Sequence, residues 1–338
     1  MIWMTWRQSR AQTLGAIVAL AVIMLYLLYL GLAIRHFYNT EIVGCTGNDC
    51  AIARERFGDK YLTQVSLIGV LLIAVPAAIG VFWGAPLITR ELETGTHRLA
   101  WNQSVTRNRW LAVKLAFIAL FSLAVTGLLS LLLTWSASRL DQVEGKRFAG
   151  LNFDSRNIVP LGYAVFFFVL GVTIGLFIRR SLPAMALTLA LFAGIQILMP
   201  LAIRSHLMTP ITSSVAFTAE KAQEINGIGS TGGPAEGGSA PVSIMGYQVP
   251  DAWVLSTGPR ALLTADGQAF TRDQLKTCMT GDFRKDMACL ATKNLHFSVT
   301  YHPAGRYWKF QWIETALFVV LAAALVGFCF WRIPRIVS

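Results

Sequence analysis

The chain has 338 residues, of which 54% are hydrophobic and 14% are charged. Soluble domains carry about 25% charged residues, so this composition is typical of a membrane protein. Five cysteines are too few for a disulfide-dense small domain, and the formal net charge of +11 raises the question of nucleic-acid binding. The positions of the charges along the chain decide that question.

Six apolar stretches are long enough to cross a bilayer as helices, which takes roughly 20 residues. The second stretch is overlong and contains Pro76 and Pro86, which predict a kinked or tilted helix. A short amphipathic piece, residues 1–12, precedes the first stretch and is expected to lie in the membrane interface. The predicted spans are Thr13–Ile34, Tyr61–Thr89, Leu115–Ser138, Ile158–Ile178, Leu182–Ile203 and Thr315–Trp331.

The Lys and Arg residues predict that both termini are cytoplasmic, because short cytoplasmic loops carry an excess of cations. In this orientation the cytoplasmic pieces carry only two acids, Glu91 and Glu93. Their cations are Arg7, Arg10, Arg90, Arg98, Arg107, Arg109, Lys114, Arg179, Arg180, Arg332 and Arg335. The basic balance therefore indicates topology and not a nucleic-acid footprint.

Four of the five cysteines form two pairs in predicted exterior loops. The first pair is Cys45 and Cys50, and the second is Cys278 and Cys289. Cysteines on an oxidising side favour disulfides, so we expect Cys45–Cys50 and Cys278–Cys289 bridges. Free thiols or a metal site are the alternative.

The predicted fold is mainly α: a polytopic membrane protein with six transmembrane helices and a small α+β extracytoplasmic domain. Residues 13–203 hold five spans and a cytoplasmic loop at 89–114, residues 204–311 form the extracytoplasmic domain, and residues 312–338 form the last span and tail.

Within the extracytoplasmic domain, a helix is predicted around Ser213–Ile225 and a flexible Gly/Ser-rich run at 226–241. Strands are predicted at Val242–Val249 and Leu295–Tyr301, and Thr271 with Gln274 forms a capping-box pattern that opens a helix.

Motifs for catalysis or nucleotide binding are absent from the sequence. The Gly145–Lys146 pair lacks the upstream glycine and the following Ser or Thr of a phosphate loop. His296 and His302 could share one side of a strand and bind a metal, but ordinary packing histidines are favoured. We therefore expect no catalytic, cofactor or metal site in this chain.

Two patterns lie inside predicted spans. Four hydroxyl residues of the third span recur every four positions and predict a stripe that faces either the bundle or a water-accessible path. Hydroxyls that bond their own i−4 carbonyls at a helix contact are the alternative. Gly171 and Gly175 form a GxxxG pattern that permits close helix approach. The candidate pathway residues are Ser122, Thr126, Ser130, Thr134, Phe166, Phe167, Phe168 and Gln196.

The second connection is the most informative segment. It reads TRELETGTHR over residues 89–98, continues with QSVTR at 103–107, and ends with Lys114 at the third span. The pattern predicts a charged helix that leaves the bilayer and breaks at Gly95, followed by a basic segment that re-enters the membrane. A simple solvated, positive-inside loop is the alternative reading.

This loop resembles that of the permease subunits of type-two ABC exporters, which share their fold with ABCG-like transporters. Those loops typically run as Arg/Lys-Glu-x-x-Gly-Thr, then a Pro/Gln-Val-Ser/Thr-Arg turn and a Lys. Here one extra residue separates Glu91 from Gly95, although Glu93 keeps the closer spacing, and Gln103 stands where many members have Pro. The closing segment Tyr301–Glu314 resembles that of actinobacterial members with a large exterior insertion.

The resemblance implies a permease that forms a homodimer rather than a heterodimer and binds two separate ATPase subunits, which hold the ATP and Mg²⁺. In such proteins this loop carries the coupling helix. Arg90 and Arg98 would contact acids of the ATPase, and Glu91 and Glu93 its bases or the permease's own amino-terminal helix. Gly95 would permit the bend. The implied coupling residues are Arg90, Glu91, Glu93, Gly95, Thr96, His97 and Arg98.

The expected function is that of the membrane permease of an ATP-driven exporter in the bacterial plasma membrane. The alternative is a membrane-anchored sensory or immunity protein, or an enzyme, whose activity resides in the extracytoplasmic domain.

Overall fold

The structure is a computed structural model that describes residues 2–94, 106–145, 147–225, 227–230, 234–249, 251–255 and 260–336. The chain divides into two compact units. We call Met1–Arg204 with Trp308–Ser338 the helical unit, and Ser205–Tyr307 the inserted unit. The extracytoplasmic domain predicted from the sequence, residues 204–311, corresponds to the inserted unit.

Long helices build the helical unit because its sequence supplies long apolar runs with few breaks. Its helices are α1 (Ile2–Phe37), α2 (Asn48–Ala78), α3 (Pro86–Glu93), α4 (Arg107–Glu144), α5 (Gly150–Ser155), α6 (Val159–Ile178), α7 (Ser181–Leu198) and, after the inserted unit, α10 (Tyr307–Ile336). In the described residues six helical stretches are long and apolar enough to cross a membrane: Ile17–Ile42, Asp49–Glu91, Asn108–Glu144, Val159–Ile178, Ser181–His206 and Ala304–Ile333. The prediction of six spans is confirmed.

Helix α1 runs without a break from Ile2 to Phe37. The amphipathic piece predicted for residues 1–12 is therefore the first part of this helix and not a separate element. A π-helical turn, Tyr38–Ile42, extends α1, and the Cys45–Cys50 disulfide closes the turn into α2 with its Cα atoms 5.1 Å apart.

The overlong second span is irregular where the prolines predict it. Pro76 lies inside α2, a π-helical turn spans Ile79–Gly84, and Pro86 begins α3. Pro at the first helical position costs no hydrogen bond, which explains the restart there.

Glycines bring the π-helical turn and α6 into backbone contact. A Cβ on Gly80 would lie 2.6 Å from the carbonyl oxygen of Phe167, and one on Gly175 would lie 2.7 Å from that of Ala85. Gly171 packs against Gly80 in the same way. The close approach that the GxxxG pattern predicted is thus made between α6 and the broken second span.

The apolar core between α1, α2 and α4 includes Leu27, Ile34, Phe57, Leu72 and Leu133, all buried. Helix α6 is the most enclosed of the six candidate spans, because 72% of the residues in its 18-residue apolar segment are buried. Helices α2, α4, α7 and α10 pack against it, which fits its uniformly apolar sequence.

The inserted unit contains two three-stranded antiparallel sheets. One sheet has the order β1 (Ile211–Ala216), β6 (His296–His302), β4 (Trp253–Val254), and the other β2 (Gly227–Ser230), β3 (Val242–Met245), β5 (Arg260–Ala261). Two short helices, α8 (Arg272–Lys276) and α9 (Phe283–Ala291), complete it. Its buried core includes Val242, Ile244, Leu262, Leu290 and Phe297.

Three predictions for the inserted unit can be compared with the structure. The prediction of a helix around Ser213–Ile225 is wrong, because Ile211–Ala216 forms a strand that pairs along its full length with β6. The capping box is present, with the Thr271 backbone N–H donating to Gln274 Oε1 at 2.9 Å. The Cys278–Cys289 disulfide forms with a Cα separation of 5.5 Å.

The Gly/Ser-rich run also differs from the expectation of a wholly flexible segment. Gly227–Ser230 forms β2 and pairs with β3, with Ile228 opposite Ile244. Alternating glycines leave Ile228 as the apolar side chain that packs against the buried core of this unit. A single apolar residue in such a run is therefore enough for strand pairing here.

Candidate functional site

The carboxyl end of α3 is tied to two other helices. Thr89 is buried, and its hydroxyl lies 2.8 Å from the Ser181 hydroxyl at the start of α7. Glu93 accepts hydrogen bonds from the Ser181 backbone N–H and hydroxyl, each at 2.8 Å, and so caps the first turn of α7. Glu91 forms an ion pair with Lys114 of α4. We call this group of helix ends the α3–α4 end.

The Glu93 carboxylate is exposed, yet its pKa lies below the usual value. The main cause is the hydrogen bond from the Ser181 backbone N–H, and the bond from the Ser181 hydroxyl adds to it. Both bonds favour the charged form of the carboxylate. Glu93 therefore stays ionised and keeps its contact with α7 over a wide pH range.

Both acids among the coupling residues have partners within the chain, since Glu91 pairs with Lys114 and Glu93 with Ser181. The expected contacts of these acids with an ATPase or with the amino-terminal helix stay predictions. The sequence separation of 88 residues between Glu93 and Ser181 hid the second contact. Of the other coupling residues, Arg90 is exposed at this end, while Gly95, Thr96, His97 and Arg98 lie outside the described residues.

Exposed cations surround the same helix ends. Arg90 lies in the last turn of α3, Arg109 in the first turn of α4, and Arg179 and Arg180 connect α6 to α7. These four cations outnumber the exposed carboxylate of Glu93, so the exposed charge of the described residues here is predominantly basic. A partner that docks at the α3–α4 end would need an acidic surface.

Three of the four hydroxyls in the predicted stripe of α4 have backbone partners. Ser122 donates to the carbonyl of Ile118 at 2.7 Å, which is the i−4 pattern of the alternative reading. Ser130 donates to the carbonyl of Asn157 at 2.8 Å, and Thr134 accepts from the Asn157 backbone N–H at 3.2 Å. Asn157 has a φ of 60°, so these two hydroxyls hold the left-handed turn that precedes α6.

Thr126 differs from the other three. Its hydroxyl is buried and has no hydrogen-bond partner within the part of the chain that the structure describes. The stripe therefore faces the bundle, which is one of its two predicted orientations, and its place in a substrate path stays a prediction.

The aromatic pathway candidates are enclosed in the helical unit. Phe167 and Phe168 have no exposed surface, and Phe166 is buried. Phe166 packs on Phe318 of α10 with ring centroids 5.2 Å apart, and Phe167 packs on Phe192 of α7 at 4.9 Å. Gln196, the remaining candidate, belongs to a buried polar group that sequence analysis did not predict.

A buried ionic cluster joins α5, the end of the helical stretch Ser181–His206 and α10. Arg204 donates from Nε to Glu314 Oε2 and from Nη2 to Glu314 Oε1, each at 2.8 Å, and Nη2 also forms an ion pair with Asp154. Gln196 donates to the second Asp154 oxygen at 3.2 Å, and Tyr163 donates to Glu314 at 2.9 Å. We call Asp154, Arg204 and Glu314 the ionic cluster.

Burial makes this cluster energetically significant. Arg204 is 2% exposed, Glu314 0% and Asp154 7%. Removing a charge from water costs several kcal/mol, which only close pairing and hydrogen bonding offset. The bidentate Arg204–Glu314 geometry supplies both, and the Phe153 ring lies under the guanidinium at 4.3 Å.

The pKa of Asp154 is raised to about 6, mainly because burial disfavours the charged carboxylate. The positive charge of Arg204 lowers this pKa but does not cancel the effect of burial, and the neighbouring charge of Glu314 raises it further. Two carboxylates thus share one guanidinium, and Asp154 is the member that can take up a proton near neutral pH.

Further contacts hold the segment around α5. Gln311, which lies one turn before Glu314 on α10, accepts hydrogen bonds from the Ile158 and Val159 backbone N–H groups at 3.3 and 3.1 Å. Arg156 forms an ion pair with Asp141 of α4 at 2.6 Å and is 3% exposed. The cluster is therefore part of a continuous polar connection from α4 to α10.

The pattern of spans, glycine contacts and capped helix ends defines a polytopic membrane protein with an inserted second unit. A family model described as "ABC-2 membrane transporter related" matches residues 17–204. The match covers more than half of the chain, so the protein belongs to this family of membrane transport permeases. The comparison with curated proteins gives no match, and neither does the comparison with solved structures.

Membership in this family supports a transporter membrane subunit that is not itself catalytic, and permeases of this family generally work with ABC ATPase partners. Helices α1 to α7 lie almost entirely within the matched residues. The inserted unit, α10 and with it Glu314 lie outside them.

Proposed function

We propose that this chain is the membrane-spanning permease of an ATP-driven ABC exporter, which acts as a homodimer with two separate ATPase subunits. The family match over residues 17–204 is the observation that carries the proposal. ATP and Mg²⁺ would be held by the partner. The orientation that we propose has both termini in the cytoplasm and the inserted unit outside the cell.

The α3–α4 end supports a role for this segment in coupling. Its exposed cations, among them Arg90 and Arg180, suit an acidic groove on a partner. Glu93 accepts a hydrogen bond from the Ser181 hydroxyl, and Glu91 forms an ion pair with Lys114. A force applied to the chain after Glu93 would therefore reach α7 and α4 through charged contacts. Charge-assisted hydrogen bonds are about twice as strong as neutral ones, which makes these contacts suitable for transmission.

The proposed mechanism is alternating access. ATP binding would close the ATPase dimer and displace the segment at 89–114, and the helical unit would shift between inward-open and outward-open arrangements. In that change the enclosed Phe167 and the unpartnered Thr126 hydroxyl are the residues best placed to become a lining of the substrate path.

A charge-exchange series at Glu91 tests the coupling assignment. Glu91→Lys places two cations together at Lys114 and should leave membrane insertion intact while it reduces ATPase association at least severalfold. The double variant Glu91→Lys with Lys114→Glu restores an ion pair of reversed polarity. We expect recovery of association in the double variant, measured as the amount of ATPase that co-purifies.

Arg54→Glu is the matched control, because Arg54 is an exposed cation on α2, outside the α3–α4 end. Normal association in the Glu91→Lys variant would exclude a coupling role for this contact. Failure of the double variant to recover would instead indicate that Glu91 contacts the partner directly.

A further inference from the structure

An open groove of about 550 Å³ lies between α1 and α2 in the helical unit. Its size falls in the usual range of small-molecule sites, roughly 300–1,000 Å³. The proposed transport cycle does not use this groove, and its lining shares no residue with the α3–α4 end or the ionic cluster. What it could hold follows from the order of side chains along its walls.

The lining changes from aromatic to charged along α1. Tyr26, Tyr29 and Leu30 line one part of the groove, and His36 and Glu41 line another, toward the carboxyl end of the helix. Tyr29 and Glu41 are separated by twelve residues, or about 18 Å of helix. Since Ile17–Ile42 is a candidate span, this axis runs along the membrane normal, with the charged part at a membrane surface. The groove therefore matches a ligand with a polar head and an apolar body in that orientation.

The walls of the groove are fixed by contacts between the two helices. Tyr61 is buried, and its hydroxyl donates to the carbonyl of Ala33 at 3.3 Å. Its ring meets Phe37 edge-on at 5.9 Å. The Tyr26 hydroxyl donates to Gln64 Oε1 at 3.4 Å. A groove held at three points along its length is preformed, which lowers the entropic cost of binding.

The charged part presents both donors and an acceptor. The ammonium of Lys60 lies 5.5 Å from the Phe37 ring centroid and 5.4 Å from that of Tyr61. Both are cation–π contacts, which leave its three N–H donors free. Gln64 and Glu41 also line the groove. Neither the amide nitrogen of Gln64 nor the carboxylate of Glu41 has a hydrogen bond or ion pair among the described residues.

We propose that this groove binds a glycerophospholipid whose headgroup carries both a phosphate and a primary amine. Lys60 and Gln64 donate to the phosphate, Glu41 accepts from the amine, and the acyl chains lie along Tyr26 and Tyr29. A headgroup with a phosphate and no amine leaves Glu41 without a partner beside a second anion. A quaternary ammonium cannot donate to Glu41.

Native mass spectrometry of the purified full chain tests this binding. The protein is delipidated in mild detergent and titrated separately with phosphatidylethanolamine, phosphatidylglycerol and phosphatidylcholine of the same acyl chains. We expect phosphatidylethanolamine to bind most tightly. Because exposed ion pairs contribute about 0.2–1 kcal/mol, each substitution should change affinity by up to about fivefold.

Two variants separate the roles of the charges. Lys60→Gln should weaken both phosphatidylethanolamine and phosphatidylglycerol, because both carry the phosphate. Glu41→Gln should weaken phosphatidylethanolamine but not phosphatidylglycerol, so that the preference between them is lost. Arg54→Gln is the control: it removes an exposed cation from α2 that does not line the groove, and binding should not change.

Equal binding of the three lipids, or unchanged binding in Lys60→Gln, would overturn the proposal. A groove covered by a second copy of the chain would also abolish the lipid preference, and this outcome would overturn the proposal too. None of these readouts requires an ATPase or a transported substrate, so the result is independent of the proposed function.

Discussion

Asp154 and Glu314 share the guanidinium of Arg204, and all three side chains are buried. Replacing Arg204 leaves two buried carboxylates without a cation, and removing one partner of a buried pair typically costs about 3–5 kcal/mol. Replacing the whole set by neutral residues removes the charges together and is often far less costly. This difference gives the cluster a characteristic mutational pattern.

Arg204→Met should therefore lower the free energy of unfolding by about 3–5 kcal/mol. The triple variant Asp154→Asn, Arg204→Met, Glu314→Gln should recover a large part of that loss. Thermal unfolding of the purified protein in one detergent measures both. Asp273→Asn is the control, since its pair with Lys276 is exposed at 65% and 69% and should contribute less than about 1 kcal/mol. A triple variant less stable than Arg204→Met would contradict the account.

Asp154 predicts a pH dependence within the same cluster. Its pKa is about 6 in the folded protein, above the ordinary value of 3.8, so the folded state binds the proton more tightly than the unfolded state. The contribution of Asp154 to stability therefore rises as pH falls through 6 and is complete near 4. Above pH 6 the charged carboxylate destabilises the fold.

The comparison with Asp154→Asn isolates this group. As pH is lowered from 7 to 5, the wild-type protein should gain stability relative to the variant, because the amide at position 154 does not titrate. Melting temperatures of both proteins across this range test the prediction. A difference that stays constant with pH would show that Asp154 does not titrate there.

At the scale of the element, the contact between α6 and the broken second span depends on residues without side chains. Gly175→Ala places a methyl group 2.7 Å from the carbonyl oxygen of Ala85, and backbone cannot yield as a side chain does. Overpacking of this kind costs about 1–3 kcal/mol.

Gly194→Ala on α7 is the matched control, because nothing lies within 4 Å of a Cβ there. Alanine also favours helix over glycine by about 0.5–1 kcal/mol, so this variant should be neutral or slightly stabilised. Thermal unfolding distinguishes the two variants. Equal effects would mean that α6 does not approach Ala85 closely.

Elements set by local pattern could be predicted from the sequence, and contacts between distant residues could not. Six apolar runs, the Pro76 and Pro86 irregularity and the capping box at Thr271 all follow from neighbouring residues. Strand β1 was mistaken for a helix because its polar sequence, ITSSVA, gains a strand conformation only by pairing with β6, about 85 residues later.

The ionic cluster could not be predicted from the sequence either, because it forms through contacts between distant residues. Its members come from a short helix between spans, the end of α7 and the start of α10, and each alone reads as an ordinary charge near a membrane surface. Two charges at span ends, Arg204 and Glu314, were the available signal. Charged residues there mark either a membrane boundary or a buried pair, and only the fold distinguishes these.

At the scale of the whole molecule, polar connections join the helices at two levels of the helical unit. At the α3–α4 end, Glu91 and Glu93 join the second span to α4 and α7. Elsewhere the ionic cluster joins the helical stretch Ser181–His206, which begins with α7, to α5 and α10. This stretch is common to both connections, with Ser181 at its start and Gln196 and Arg204 toward its end. A movement imposed at Ser181 would therefore reach the ionic cluster through a single helix.

The central claim is that this permease works with a separate ATPase. The most direct measurement is gentle purification of the tagged full chain from its native membrane, with identification of every protein recovered in stoichiometric amount. We predict a soluble subunit that contains a phosphate-binding loop, at two copies per permease dimer. Recovery of an intact, folded chain without any such subunit would contradict the account.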